Sequence, residues 1–525
     1  MKKIVVIFVL ITNVYSWEIN THRAIDQMAI GYAKNLTSFL SASGLKNYVF
    51  QKNVIGFDGY GMTYTKYITK GELNGMSLWK QSFNENTATY KELIEAGSIL
   101  EDAQWPHTLN GGSYNFFDMG DGRFVNHFYD AQSFKHNLHG LYMYGIQFEP
   151  TNLWGLGRTD FRKRLNAYSY VKALDYFKEG FTNPNPTVRR KNQAKMLVSV
   201  GQLMHLMNDM SSTAHTRDDP HKEGDIMEVW GSSNRGFRVE GNTVKSYSGV
   251  SKNPDNSVPK YSRFEYFITG EARWTSTHFF SKDTIFTKPL PKKSDTYKEL
   301  VSSSGDIYKY YIKRNSGKNT KLAIHVRSYI LDTLREKYYA DDKVWMGFDK
   351  TTSFKGDYTV IEENAKILIP RAIANARNFV NYFFRGQISA AVTDHKIVVR
   401  NRSNASLLAY KDTATLKENG VYKLMYEESN GKRYPLKFGI DVEKLDGSIA
   451  YSGSVGDTRT FDNFPSRINV APGKTIEVPI ILDDETKVRI RNKKIIVIYD
   501  GYIGKERSIA VCSASTPTGG FVSSN

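Results

Sequence analysis

The chain has 525 residues, so it is long enough for two or more domains. Its hydrophobic content of 40% and charged content of 24% are ordinary for a globular protein and argue against wholesale disorder. Its net charge of +17 favours an anionic partner (nucleic acid, a phosphate ester or an anionic membrane surface) without choosing among them. Because Cys512 is the single cysteine, an intrachain disulfide is excluded as well.

The first sixteen residues, MKKIVVIFVLITNVYS, are typical of a secretory signal peptide. Two lysines precede an apolar run, Ile4 to Ile11, that is too short to span a bilayer. The alternative is a buried N-terminal helix. Cleavage after Ser16 would make Trp17 the N-terminal residue of a secreted protein, either extracellular or periplasmic. A secreted protein without disulfides can gain rigidity from bound metal instead.

The spacing of apolar residues over 17–390 predicts one mainly helical domain. The clearest helix is VRRKNQAKMLVSVGQLMHLMNDM, in which Met196, Val200, Leu203 and Met207 recur at helical spacing. Residues from about 233 to 320 are rich in Ser, Gly, Asn and Lys and predict a loop-rich insertion. Two later helical stretches, LAIHVRSYILDTLREKYY and IEENAKILIPRAIANARNFVNYFF, belong to the same domain.

The sequence pattern changes near Thr393. Short β-rich runs such as KIVVRNRS and TIEVPIIL alternate with turns of Asn, Gly, Asp and Pro, which predicts a β-sandwich over residues 393–525. The expected fold class is therefore multidomain, with a mainly α-helical domain followed by a C-terminal β-sandwich-like domain.

The stretch HLMNDMSSTAH carries the strongest chemical signal. His205 and Asp209 are four residues apart, so on a helix they share one face, and His215 follows where that helix ends. Imidazole and carboxylate together are a ligand set that zinc accepts. A single His-x3-Asp pair is more often a surface ion pair, but the same 24-residue window also contains His221, Asp225 and Glu228. The window as a whole predicts a metal site.

Further ligands can be found upstream of this window. The segment GSILEDAQW supplies Glu101 and Asp102, and RFVNHFYDAQS supplies His127 and Asp130. His22 lies five positions after the expected N-terminal residue. Each has an alternative interpretation: the acids could end a solvated helix, His127 could be a buried histidine bonded to a carbonyl, and His22 could be an ordinary helix residue.

The order of these motifs resembles the zinc-dependent phospholipase C and single-strand nuclease superfamily, and especially its bacterial phospholipase C members. The motifs that carry the resemblance are an N-terminal Trp followed by His, then NHFYD, then HxxxDxxxxxH, and then a final His with a carboxylate. They span Trp17 to about Trp230. The resemblance implies a helical domain that holds three zinc ions in one cleft.

The resemblance also implies which residues hold each ion. The ligands of the first zinc would be Asp102, His127, His205 and Asp209. Asp209 would bridge to a second zinc, held also by His22 and by the amino nitrogen and carbonyl oxygen of Trp17. The third would be held by His215, His221 and either Asp225 or Glu228. Asp225 could instead cap a helix, which gives a slight preference to Glu228.

Zinc ions in this arrangement would acidify a shared water to a hydroxide and polarise a phosphoryl oxygen, with Asp102 as the catalytic residue that orients the water or takes its proton. The implied function is that of a secreted phospholipase C, which hydrolyses the phosphodiester of glycerophospholipids at a membrane surface.

Two alternatives stay open. One is a zinc-dependent nuclease for single-stranded nucleic acid, which a basic surface and exposed aromatic residues would serve. The short spacing from Trp17 to His22 resembles the nucleases, whereas NHFYD and the two-domain plan are more similar to the phospholipases. The other is a surface-binding or adhesion protein with structural zinc. No obligate protein partner is inferred.

Overall fold

The computed structural model describes fifteen ranges of the chain. These are residues 19–51, 87–102, 126–131, 139–143, 146–157, 166–219, 230–231, 233–279, 296–301, 307–315, 318–324, 359–408, 420–447, 461–466 and 468–515. The expected signal peptide lies outside them. Helices and antiparallel sheets both occur, as expected for a multidomain mixed fold.

Helices dominate the described part of the chain before residue 384. They are α1 (Ile19–Tyr32), α2 (Lys34–Ser43), α3 (Tyr90–Asp102), α4 (Thr151–Leu156), α5 (Tyr170–Thr182), α6 (Pro186–Asp209), α7 (Phe264–His278) and α8 (Thr359–Phe383). None of the described helices combines the length and the apolarity that crossing a membrane requires.

Helix α6 lies at the centre of this part. It begins at Pro186, and the side chain of Asn185 caps it by accepting hydrogen bonds from the next backbone amides. All residues from Met196 to Asp209 are buried, and a helix that is buried on every side must be enclosed by its neighbours. Helices α3 and α5 both pack along it.

Two glycines allow α3 and α6 to touch backbone to backbone. A Cβ atom on Gly97 would lie 2.0 Å from the Val198 carbonyl oxygen, and one on Gly201 would lie 1.8 Å from the Ile94 carbonyl oxygen. Only glycine fits at both positions of this reciprocal contact. The contact brings the C-terminal ends of both helices, where Glu101 and Asp209 lie, into the same region.

Residues 233–320, expected to be rich in loops, contain regular elements in their described part. Strands β5 (Phe237–Glu240) and β6 (Thr243–Ser246) form a hairpin, and α7 buries Phe264, Phe267 and Ile268 in the helical core. Strands β7 (Thr296–Val301), β8 (Ile307–Asn315) and β9 (Lys318–Ile324) form an antiparallel sheet. Before them, β1 (Phe50–Gln51) pairs with β2 (Thr87–Ala88), and β3 (Tyr142–Met143) with β4 (Ile146–Gln147).

The C-terminal strands form two antiparallel sheets. Their strands are β10 (Ile388–Val392), β11 (Lys396–Asn401), β12 (Val421–Glu427), β13 (Arg433–Pro435), β14 (Gly439–Ile440), β15 (Asn463–Pro465), β16 (Thr475–Ile481), β17 (Lys494–Ile503) and β18 (Glu506–Ser515). One sheet has the order β10-β11-β16-β14; the other has the order β13-β12-β17-β18, with β15 also paired to β12. A short helix, α9 (Asp484–Ile490), links β16 to β17. The first strand of this C-terminal part, β10, begins at Ile388, a few residues before the change of sequence pattern near Thr393.

The second sheet is buried on both faces. Along β17, Ile495 and Val497 join the core between the two sheets, whereas Ile496 and Ile498 join the core of the helices. Strand β18 contacts α2 and α5. The molecule therefore has three layers here: the helices, the sheet that contains β17, and the outer sheet.

A buried arginine fastens the sheet to the helices. Arg385, two residues after the end of α8, donates hydrogen bonds to the carbonyl oxygens of Ile503, Glu506 and Arg507 at 3.1, 2.9 and 3.2 Å. The carboxylate of Glu506 in turn accepts from the Tyr382 hydroxyl at 2.7 Å. The C-terminal strands therefore contribute side chains to the core of the helices and do not form a separately packed domain.

We expect a truncated form that ends at Gly386 to aggregate, because its helices would lose the apolar side chains of β17 and β18 that cover them. A matched form that ends at Ser515 keeps every described strand and is expected to stay soluble. Size-exclusion chromatography and thermal unfolding by circular dichroism would compare the two. A monomeric, cooperatively unfolding form ending at Gly386 would contradict this expectation.

Candidate metal centre

Four histidines surround the carboxylate of Asp209. His205 and Asp209 occupy the last turn of α6, and His22 comes from α1. His215 lies in the turns that follow α6, and His127 lies in the segment 126–131. All five side chains are at most 1% exposed. The structure thus brings together residues that are up to 193 positions apart in the chain (from 22 to 215).

The two carboxylate oxygens of Asp209 face different histidines. Oδ1 lies 3.3 Å from His22 Nε2. Oδ2 lies 3.1 Å from His127 Nδ1, 3.5 Å from His205 Nε2 and 3.9 Å from His215 Nδ1. Two sets of possible metal ligands result, one of His22, His205 and Asp209 and one of His127, Asp209 and His215. Asp209 belongs to both.

The spacing of these atoms fits a bound metal. Zinc with tetrahedral ligands at about 2.1 Å holds its ligand atoms about 3.4 Å apart, whereas a charge-assisted hydrogen bond would draw them to about 2.8 Å. The contacts of Asp209 with His22 and His205 match the first spacing. A buried set of imidazoles and carboxylate is also the ligand chemistry that zinc prefers. The centre can therefore bind a metal ion.

The histidines also determine the charge of Asp209. Burial by itself would raise the pKa of this carboxyl group, but His205, His215 and His127 outweigh the burial and hold the pKa well below its usual value. Asp209 is therefore ionised. The two ligand sets therefore share one side chain that is both buried and negatively charged, as a metal centre requires.

Neighbouring groups fix the rings of two histidines. The His215 ring stacks on Phe128 with centroids 4.4 Å apart, and its Nδ1 lies 3.0 Å from the His127 carbonyl oxygen. A hydrogen bond to that oxygen leaves Nε2 as the metal-binding nitrogen. The His22 ring stacks on His205 at 3.7 Å.

Glu101 is the acid that the structure brings to His127. Its Oε1 lies 3.5 Å from His127 Nε2 and accepts a hydrogen bond from the indole Nε1 of Trp154 at 2.9 Å. Glu101 is fully buried. The expected ligand and catalytic acid was Asp102, the last residue of α3, of which the structure describes the backbone and not the side chain.

Asp26 is a buried acid that is not among the ligands expected from the sequence. It is fully buried on α1, four residues after His22, and its Oδ1 accepts a hydrogen bond from Asn208 Nδ2 at 2.9 Å. Burial raises the pKa of Asp26 to about 7, against smaller lowering contributions from Ser98, Asn208 and His205. The spacing His-x3-Asp, also present in His205 and Asp209, could have identified it.

Four of the expected ligands fall outside the described residues: Trp17, His221, Asp225 and Glu228. His22, His127, His205, Asp209 and His215 are the expected ligands that the structure brings together. Asp130, also considered from the sequence, is buried but belongs to neither ligand set found among the described residues.

Comparisons of the chain with protein-family models, with characterised proteins and with solved structures find no match. The interpretation of this centre therefore depends on its own geometry and on the order of its motifs.

We expect zinc to raise the melting temperature of the metal-stripped protein, by the equivalent of about 2.7 kcal/mol when free zinc is 100 times Kd. Asp209→Asn removes the shared negative charge and should lose at least half of that gain. Asp175→Asn changes a half-exposed acid on α5 and serves as the control. An equal zinc response in all three proteins would remove Asp209 from the centre.

The pH dependence of Asp26 provides a second prediction. Its pKa is about 7 in the folded chain and about 3.9 when unfolded, so the folded state holds the proton more tightly. The stability that this provides is complete below pH 4 and is lost as pH rises through 7. In metal-stripped protein, Asp26→Asn cannot ionise, so its melting temperature should fall less than that of the wild type between pH 5 and 8. Parallel pH curves would show that Asp26 does not titrate in this range.

Proposed function

We propose that the chain is a secreted, zinc-dependent phosphodiester hydrolase of the phospholipase C type that binds three zinc ions. The observation that supports it most directly is the shared carboxylate of Asp209, which belongs to two buried ligand sets at once. The proposed membership of the phospholipase C and nuclease superfamily rests on the order of the sequence motifs.

A shared carboxylate favours a hydrolase over a purely structural metal site. A structural zinc is usually an isolated ion closed off by four protein ligands. Hydrolases of phosphate esters instead use neighbouring metal ions about 3.5–4 Å apart, between which one carboxylate can bridge. Asp209, with His22 on one oxygen and three imidazoles on the other, would suit the second arrangement.

The residues of this chain would have distinct roles. Zinc, when bound, supplies an acidified water and polarises a phosphoryl oxygen. Asp209 stays ionised and joins the two ligand sets, because it belongs to both. Phe128 and the His127 carbonyl orient the ring of His215. Glu101, held by Trp154, is the acid beside His127 and can bind metal or accept a proton.

The substrate class follows from charge and motif order. A chain of net charge +17 attracts a phosphodiester, whether in a lipid headgroup or in a nucleic acid. The motif NHFYD and the plan of a helical part followed by a β-sandwich favour the glycerophospholipid. Cleavage of single-stranded nucleic acid is the alternative.

The test is a parallel assay of the zinc-loaded protein that begins at Trp17, on phosphatidylcholine vesicles and on single-stranded DNA. We expect release of the phosphorylated headgroup with intact DNA. DNA cleavage without headgroup release would establish the nuclease instead. Zinc binding with neither activity would favour a surface-binding protein with structural zinc.

Glu101→Gln is the inactive variant for this assay. The amide oxygen can still accept the Trp154 hydrogen bond, so the fold is kept, but the negative charge beside His127 is gone. We expect turnover to fall at least 100-fold, with Asp175→Asn unchanged. Asp102→Asn in the same assay tests whether the neighbouring acid has the role that the sequence motifs imply. Full activity of Glu101→Gln would remove Glu101 from the chemistry.

A further inference from the structure

One asparagine side chain lies between His22 and Asp26. Asn208 Nδ2 is 2.9 Å from Asp26 Oδ1 and 3.5 Å from His22 Nδ1. Asn208 and Asp26 are fully buried, and His22 is 1% exposed. Because the three side chains come from α1 and α6, this contact joins the two helices that carry His22 and Asp209.

The two nitrogens of His22 face opposite ways. Nε2 faces Asp209 at 3.3 Å, and Nδ1 faces Asn208. A neutral imidazole has one proton, so one nitrogen donates and the other accepts. In the observed arrangement the amide nitrogen of Asn208 points at Nδ1, which makes Nδ1 the acceptor and places the proton on Nε2, toward the Asp209 carboxylate.

A metal at Nε2 needs the other tautomer. A metal would bind the lone pair of Nε2. The Nε2 proton would leave to solvent and Nδ1 would take one proton from solvent, so the ring would stay neutral. Nδ1 then needs an acceptor, and an amide nitrogen cannot accept a hydrogen bond. The oxygen and nitrogen of an asparagine amide have nearly the same size, so a half-turn of the amide exchanges them with little other movement.

We propose that Asn208 is a positioning residue that selects the tautomer of His22, and that its amide makes this half-turn when a metal binds at His22 Nε2. The proposal rests on the metal centre of the proposed function. After the half-turn, Asn208 Oδ1 accepts from Nδ1–H of His22.

Asp26 supports both arrangements. As a carboxylate it accepts from Asn208 Nδ2, as observed at 2.9 Å. After it takes up one proton from solvent, the neutral acid can donate to the same position once Oδ1 has turned toward it. In metal-stripped protein, the pKa of about 7 that burial gives Asp26 makes both forms accessible near neutral pH.

The first test reads the tautomer of His22 directly in the wild-type protein and needs a variant only for signal assignment. The ¹⁵N shifts of histidine-labelled protein distinguish a protonated from an unprotonated ring nitrogen, and His22→Gln identifies the His22 signals. We expect the proton on Nε2 in metal-stripped protein and on Nδ1 after zinc is added. A proton on Nδ1 in both forms would overturn the proposal.

The second test uses zinc affinity, measured by competition with a chromophoric chelator. Asn208→Leu keeps the size of the side chain but cannot accept, and should weaken zinc binding 10- to 100-fold, as loss of such a supporting contact typically does. Asn378→Leu is the control: Asn378 is a buried asparagine of α8 that donates to the Val258 and Pro259 carbonyls, away from the centre.

A double variant in which the acid and the amide exchange positions controls for the possibility that Asn208→Leu simply fails to fold. Asp26→Asn combined with Asn208→Asp keeps one acid and one amide but exchanges their positions, so that position 208 can only accept from His22. We expect zinc affinity within about threefold of the wild type or tighter, and the proton of His22 on Nδ1 even without metal. Weak binding by this variant, or wild-type affinity in Asn208→Leu, would overturn the proposal.

The outcomes separate this inference from the proposed function. Zinc binding with the expected change of tautomer but without hydrolysis would overturn the proposed activity alone. Hydrolysis with zinc bound and an unchanged tautomer would overturn the role of Asn208 alone. Absence of zinc binding in the wild type would overturn both.

Discussion

The ionised, fully buried carboxylate of Asp209 is the constraint on which the rest of the structure depends. A buried charge is strongly destabilising unless partners surround it. Here four imidazoles from different parts of the chain do so, within 3.1–3.9 Å of its two oxygens. The helices and loops that carry them must therefore converge on the end of α6. A metal ion in this shell would strengthen the same convergence.

The fold meets this constraint by close packing around α6. The reciprocal contact of Gly97 and Gly201 lets α3 approach α6 without side chains between them, which brings Glu101 near His127. On the other side of the helices, Ile496 and Ile498 of β17 complete the apolar core. The β-sandwich is consequently part of what keeps the helices in place, whatever surface its outer sheet presents.

Behind the metal-binding atoms lies a second group of polar contacts. Trp154 holds Glu101, the His127 carbonyl faces His215, and Asn208 lies between His22 and Asp26. Such contacts fix ring orientation and proton position, so they determine which imidazole nitrogen is available to a metal. None of these supporting contacts has a sequence motif of its own, although Asp26 repeats the His-x3-Asp spacing of His205 and Asp209.

The sequence by itself determined the change from helices to β-strands near residue 390 and the candidate histidines. Both follow from local signals: the period of apolar residues, turn composition and the spacing of His and Asp on a helix. Only the tertiary structure showed that Glu101 faces His127, that Asp26 and Asn208 stand behind His22, and that β17 is buried on both faces. These depend on the angle and distance at which distant segments pack. Local sequence patterns do not encode that geometry, whereas two glycines and one buried charge can enforce it in the folded chain.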